Sequence, residues 1–109
     1  MGKSLPVPPA ARADSNGLEM IRVWIAKGGL HTSLQIGFWE DRGLNEPDSW
    51  GVLLADMVRH IGNAHEERYG RDRRETITAI RQAFEREMAR PTSATKGSFV
   101  DKSKGKDRD

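Results

Sequence analysis

Two adjacent glycines, Gly28 and Gly29, separate two apolar runs in VWIAKGGLHTSL (23–34), and no other feature narrows the fold as much. A two-residue primed turn needs φ > 0, which glycine adopts without steric cost. With Gly28-Gly29 as that turn, Lys27 stands opposite Leu30. Ile25 then faces Thr32, Trp24 faces Ser33, Val23 faces Leu34 and Ile21 faces Ile36. Side chains alternate between the faces of a strand. One face collects Ile21, Val23, Ile25, Thr32, Leu34 and Ile36, with Phe38 beyond; the other collects Arg22, Trp24, Ala26, His31, Ser33 and Gln35. A slip of one residue would set Leu34 opposite Arg22 and mix the two sets, so burial of one face is expected to fix the register.

Two helices are expected after the hairpin. The loop GFWEDRGLNEP (37–47) leads to a helix opened by Pro47 or Asp48. Trp50, Leu53, Leu54, Met57, Val58, Ile61, Ala64 and His65 recur at helical spacing, and Gly70 supplies the left-handed stop. Asp72 and Glu75 have the spacing of a capping box and start a second helix. Its stripe is Ile77, Ile80, Phe84 and Met88, and Pro91 follows its end.

Strand, strand, helix, helix is an α+β arrangement (ββαα). A lone hairpin is marginal in water, and both of its strands are unpaired edges. Two copies that join their hairpins into one four-stranded antiparallel sheet would satisfy those edges, so a homodimer is expected.

The flanks are of different composition. Residues 1–17 hold prolines at 6, 8 and 9 and few large apolar side chains, and read as a disordered leader. Residues 91–109 read as a disordered, polar, basic tail, with GSFV (97–100) its one apolar spot. The single ββαα domain therefore spans 18–90. A core of that size yields only about 3–5 kcal/mol and commonly needs a staple or a partner. The 109 residues include no cysteine, so no disulfide, thiolate metal site or cysteine nucleophile is available. No apolar run is long enough to span a bilayer and no secretory signal opens the chain, which makes the cytoplasm the expected location.

The net charge of +2 divides unevenly. Residues 18–90 carry eleven basic and twelve acidic side chains, so the basic balance belongs to the flanks. A domain built for nucleic acid normally carries its own positive face, which weakens that reading.

Three groups of residues could carry function. Arg22, Trp24, His31 and Gln35 share the polar hairpin face, where an aromatic, a guanidinium and an imidazole suit an anionic or planar ligand. Packing of Trp24 within an oligomer, against the chain's own tail or beside its cross-strand neighbours explains the same pattern and is favoured. Arg68, Arg71, Arg73 and Arg74 surround Tyr69 at the turn between the helices and could contact an anion or nucleic acid. Glu66, Glu67, Asp72 and Glu75 interleave with them, which favours a solvated ion-pair network. Asp56 and His60 are four apart, but no nucleophile motif accompanies them. His65 falls within the apolar arc and reads as a half-buried core histidine. His60 and His65 lie about 140° apart around a helix and cannot share a metal there. No catalytic residue, metal ligand or cofactor is assigned.

The segments VPPAARAD, MIRVWIAKGGLHTSL, WED (39–41) and WGVLLADMVRHI together resemble a family of small uncharacterised proteobacterial proteins, a domain of unknown function. The resemblance runs from about residue 6 to residue 90. It implies a bacterial source and a whole small protein, and it places Trp24, Trp39, Trp50, Asp56 and His60 in the family pattern. It implies no activity. The reading that emerges is a non-catalytic homodimeric interaction or binding module. A nucleic-acid binder using Arg68–Arg74 is the alternative, and a ligand carrier or enzyme using Arg22, Trp24 and His31 stands third. Another protein is a further candidate partner.

Overall fold

The computed structural model describes residues 3–92, 99–101 and 106–108. In chain order the elements are α1 (Pro9–Ala13), β1 (Ile21–Ala26), β2 (Gly29–Leu34), a 3-10 turn (Glu40–Arg42), α2 (Glu46–Tyr69), α3 (Arg73–Ala89), β3 (Phe99–Asp101) and β4 (Lys106–Arg108). The expected order of hairpin and two long helices is therefore present. The chain divides into two units, 1–36 with 96–109, and 37–95.

In the first unit β1 and β2 form an antiparallel pair. The turn is not at Gly28-Gly29 but one residue earlier. Lys27 (φ 49°) and Gly28 (φ 73°) take the two left-handed positions, and Gly29 is the first residue of β2. Every partner shifts by two: Ile25 faces Leu30, Trp24 faces His31, Val23 faces Thr32, Arg22 faces Ser33 and Ile21 faces Leu34. A shift of two leaves each residue on its expected face. It exchanges Lys27 opposite Leu30 for Ile25 opposite Leu30, an apolar cross-strand pair that helps offset the cost of a left-handed lysine. The Gln35 N–H donating to Met20 O (3.0 Å) carries the ladder one pair further.

Burial follows the alternation only at the end away from the turn, where Ile21, Thr32 and Leu34 are half-buried and Arg22 and Ser33 exposed. On the apolar face Val23 is 50 % exposed, Ile25 84 % and Leu30 57 %, while Trp24 on the other face is half-buried.

α1 is a short helix started by Pro9, whose missing N–H costs nothing at a helix start. β3 pairs with β4 in a separate two-stranded sheet. The disordered tail expected over 91–109 lies for the most part outside the described residues.

In the second unit α2 begins at Glu46, earlier than Pro47 or Asp48. Asn45 is the cap, its side chain accepting from Asp48 N–H at 3.0 Å. Gly70 (φ 68°) ends the helix in the left-handed conformation, its N–H donating to Glu66 O at 2.9 Å. Asp72 caps α3 by accepting from Glu75 N–H at 3.0 Å. Only this half of the expected capping box appears among the described residues. α2 and α3 pack together, and Gly62 is buried in that contact. A methyl group at position 62 would come within 3.0 Å of Ile77 Cγ1 and 3.3 Å of Arg73 Cγ.

Among the described residues no apolar side chain is buried; Glu46 is the one buried polar or charged residue, at 8 % exposure.

Candidate functional site

Glu46 is the centre of a polar arrangement at the start of the second unit. The loop from Gly37 to Asn45 turns through a left-handed Gly37 (φ 101°) and a 3-10 turn, leaving amide groups without helix or sheet partners. One carboxylate satisfies three of them. Glu46 Oε2 accepts from Gly37 N–H at 2.8 Å, and Oε1 accepts from Trp39 N–H at 3.0 Å and Glu40 N–H at 3.1 Å. Charge-assisted bonds of this kind are roughly twice as strong as neutral ones. The Gly37 bond holds the Glu46 carboxyl below its ordinary value of 4.5, opposed by burial and reinforced by the Glu40 and Trp39 amides and by the nearby Trp50 indole. Trp50 Nε1 is buried but closes no well-formed hydrogen bond, so its help to Glu46 is that of a dipole at short range.

Aromatic rings close round this bracket. Trp39 meets Phe38 edge-on at 5.7 Å and Trp50 edge-on at 5.2 Å. Arg42 lies 3.9 Å over the Phe38 ring and donates to Phe38 O at 2.7 Å. The arrangement is chemically self-contained, with the carboxylate's charge spent on main-chain amides, so it positions the start of α2 rather than a substrate. Glu46 escapes a sequence reading because it precedes a proline at the edge of a loop and looks like a solvated first-turn acid. Its partners are the main-chain amides of Gly37, Trp39 and Glu40, for which side-chain spacing gives no signal.

On the hairpin, Arg22, Trp24 and His31 do share one face, and Trp24 and His31 are direct partners across the strands. Arg22 is held by Glu19 (2.9 Å), with both side chains about half exposed. His31 Nε2 is 3.1 Å from Ala26 O, an imidazole N–H bond to the hairpin's own backbone. Gln35, beyond the end of β2, contributes its backbone to the ladder. The face thus presents an indole flanked by two groups already engaged within the unit.

The arginine cluster differs from expectation. No ion pair joins Arg68, Arg71, Arg73 or Arg74 to an acid among the described residues; the ion pairs there are Arg22–Glu19, Arg59–Asp56 and His60–Asp56. Arg71 lies 4.7 Å and Arg68 5.5 Å over the Tyr69 ring. Arg71 also donates to His65 Nδ1 at 3.1 Å, and His65 meets Tyr69 edge-on at 5.4 Å. Arg73 Nε donates to Asn63 Oδ1. The aromatic and imidazole rings take the place that Glu66, Glu67, Asp72 and Glu75 were expected to fill. Arg74 contributes no hydrogen bond to the group among the described residues.

Asp56 is shared by Arg59 (3.1 Å) and His60 (3.2 Å), all three more than half exposed. Such exposed helix pairs contribute about 0.3–0.5 kcal/mol to stability. His65 is half-buried, as its place in the apolar arc requires.

An open groove of about 430 Å³ runs between α2 and α3, walled by Ile61, His65, Thr76 and Ile80, with Arg71 and Asp72 at one end. No group of His, Asp and Glu among the described residues is placed to hold a metal ion. No helix among them is long and apolar enough to cross a membrane.

No curated protein matches the sequence. A solved structure from the photosynthetic bacterium Rhodopseudomonas palustrus CGA009, described provisionally as a pyruvate dehydrogenase, is similar at 27% identity with a TM-score of 0.65. The likeness covers 88% of this chain and 93% of that one. A family model described as Domain of unknown function (DUF5076) matches residues 4–92, and the chain belongs to that family.

Proposed function

We propose that the protein is a non-catalytic homodimeric binding module. One observation carries the reading: among the described residues no apolar side chain is buried. A domain of this size is stable only by a small surplus of burial over chain entropy. With its apolar side chains at most half-buried it gains from a surface that is always present, and a second copy is the one partner supplied at equal concentration. The side chains that stay polar and accessible then serve recognition. The hairpin face of Arg22, Trp24 and His31, with Gln35 at its margin, is the surface offered to a ligand or protein partner. A bacterial setting accords with the likeness to the Rhodopseudomonas protein, and the cytoplasm is the location proposed with it. The activity named for that protein corresponds to no assigned residue here and is not part of the reading.

Sedimentation equilibrium of the full chain tests it. A dimer at micromolar concentration is expected, with helicity lost on dilution. A monomer that unfolds cooperatively and independently of concentration overturns it.

A second reading, phosphate recognition on nucleic acid by Arg68, Arg71, Arg73 and Arg74, is favoured by the absence of acidic partners in that cluster among the described residues. Four acids in the same stretch cancel its net charge, which keeps it second. A salt-sensitive mobility shift would raise it, and no shift with DNA or RNA at low salt would remove it.

A further inference from the structure

The groove between α2 and α3 separates two apolar stripes. Leu54, Met57 and Ile61 follow i, i+3, i+7 spacing on α2, and Ile77, Ile80, Phe84 and Met88 continue a stripe along α3. Ile61 and Ile80 wall the same groove, so the stripes belong to one face of the helix pair. That face is open: Leu54 and Ile61 are 42 % exposed, Met57 46 %, Phe84 55 % and Met88 71 %. At roughly 200 Å² each, the figure for an aromatic side chain, these five leave at most about 500 Å² of apolar surface in water. A standard interface removes about 800 Å² from each partner, some 56–65 % of it apolar, or about 450–520 Å². Covered in full, the open face would supply the apolar share of a stable dimer interface.

From this match we infer that the second copy seats on the α2–α3 face, stripe against stripe, with Phe84 and Met88 among the groups removed from water. The inference rests on the homodimer reading and places its contact on the helices instead of on the hairpin edges. Charge permits it. Residues 18–90 are within one unit of neutrality. Arg81, Glu85 and Glu87 border the α3 stripe with both signs, so a pairing of Arg81 with a glutamate of the second copy is available.

The test compares Met88→Glu and Ile25→Thr, both at strongly exposed positions, by sedimentation equilibrium of the full chain. Met88→Glu should raise the dimer dissociation constant at least tenfold, and higher protein concentration should restore helicity. Ile25→Thr should leave the constant within about twofold. A second readout uses Met88→Cys, the sole thiol in a cysteine-free chain. Its rate of alkylation should fall as protein concentration rises through the dissociation constant. If Met88→Glu leaves a wild-type dimer intact, or only Ile25→Thr dissociates it, the placement fails while the dimer stands. Alkylation at one rate across all concentrations, with a monomeric wild type, would mean that no second copy covers the face, and both the placement and the dimer would fall.

Discussion

Gly51 and Gly62 lie in the same helix, and replacing each with alanine should move stability in opposite directions. In a helix interior the exchange gains about 0.8–1.0 kcal/mol from backbone entropy alone. At Gly51 nothing lies within 4 Å of the new methyl group, so the gain is realised in full. At Gly62 the methyl meets Ile77 Cγ1 at 3.0 Å, Ile77 Cδ1 at 3.2 Å and Arg73 Cγ at 3.3 Å. Cγ1 is close to the backbone of a β-branched residue whose χ1 is nearly fixed in a helix, so it cannot swing away. Overpacking of this kind costs about 1–3 kcal/mol. Because the propensity gain is common to both variants, the difference between them isolates the steric cost, about 2 kcal/mol. For a domain of this size that separates the melting temperatures by roughly 8–16 °C. Thermal unfolding followed by helical circular dichroism, at one protein concentration for all three chains, reads the difference. Equal stabilisation by Gly51→Ala and Gly62→Ala would refute the close approach of α2 and α3 at Gly62.

Two further outcomes are expected. The Glu46 carboxyl is lowered by its bond from the Gly37 amide, so the unfolded chain takes up a proton first as pH falls. The stability it contributes is complete above about 4.5 and is lost as acid carries the protein down through the folded value. Urea midpoints should therefore show Glu46→Gln below the wild type at neutral pH and the gap closing below pH 4.5; a gap that stays constant to strong acid would disprove the bracket. Lys27→Asn should raise stability by about 0.5–1 kcal/mol, because asparagine tolerates the left-handed conformation at φ 49° better than lysine. A fall in the urea midpoint would show that the turn is elsewhere.

Much of the fold was legible because its signals are local. Gly70 stops α2 and Asp72 starts α3 through bonds that span three or four residues. Periodicity placed Leu54, Ile61, Ile77 and Phe84 on their stripes. The turn was misplaced by one residue because local cost favours glycine at both left-handed positions, whereas cross-strand pairing of Ile25 with Leu30 is a non-local gain. The faces survived the error because it shifted partners by an even number. The candidate sites were less legible. Acids near Arg68–Arg74 in sequence suggested ion pairs, but in three dimensions Tyr69 and His65 are the neighbours of Arg68 and Arg71. Glu46 was invisible because its partners are main-chain groups, which leave no trace in side-chain spacing.

That same property determines which mutations the 37–46 segment can absorb. The carboxylate grips amides, and every residue but proline carries one. Side chains at Trp39 and Glu40 can be exchanged without releasing the clasp, although the rings around it would be lost. Position 46 has no such freedom: aspartate falls a methylene short, and glutamine offers one acceptor oxygen where two are in use. Gly37, in a conformation a side chain resists, is the matching fixed point at the other end.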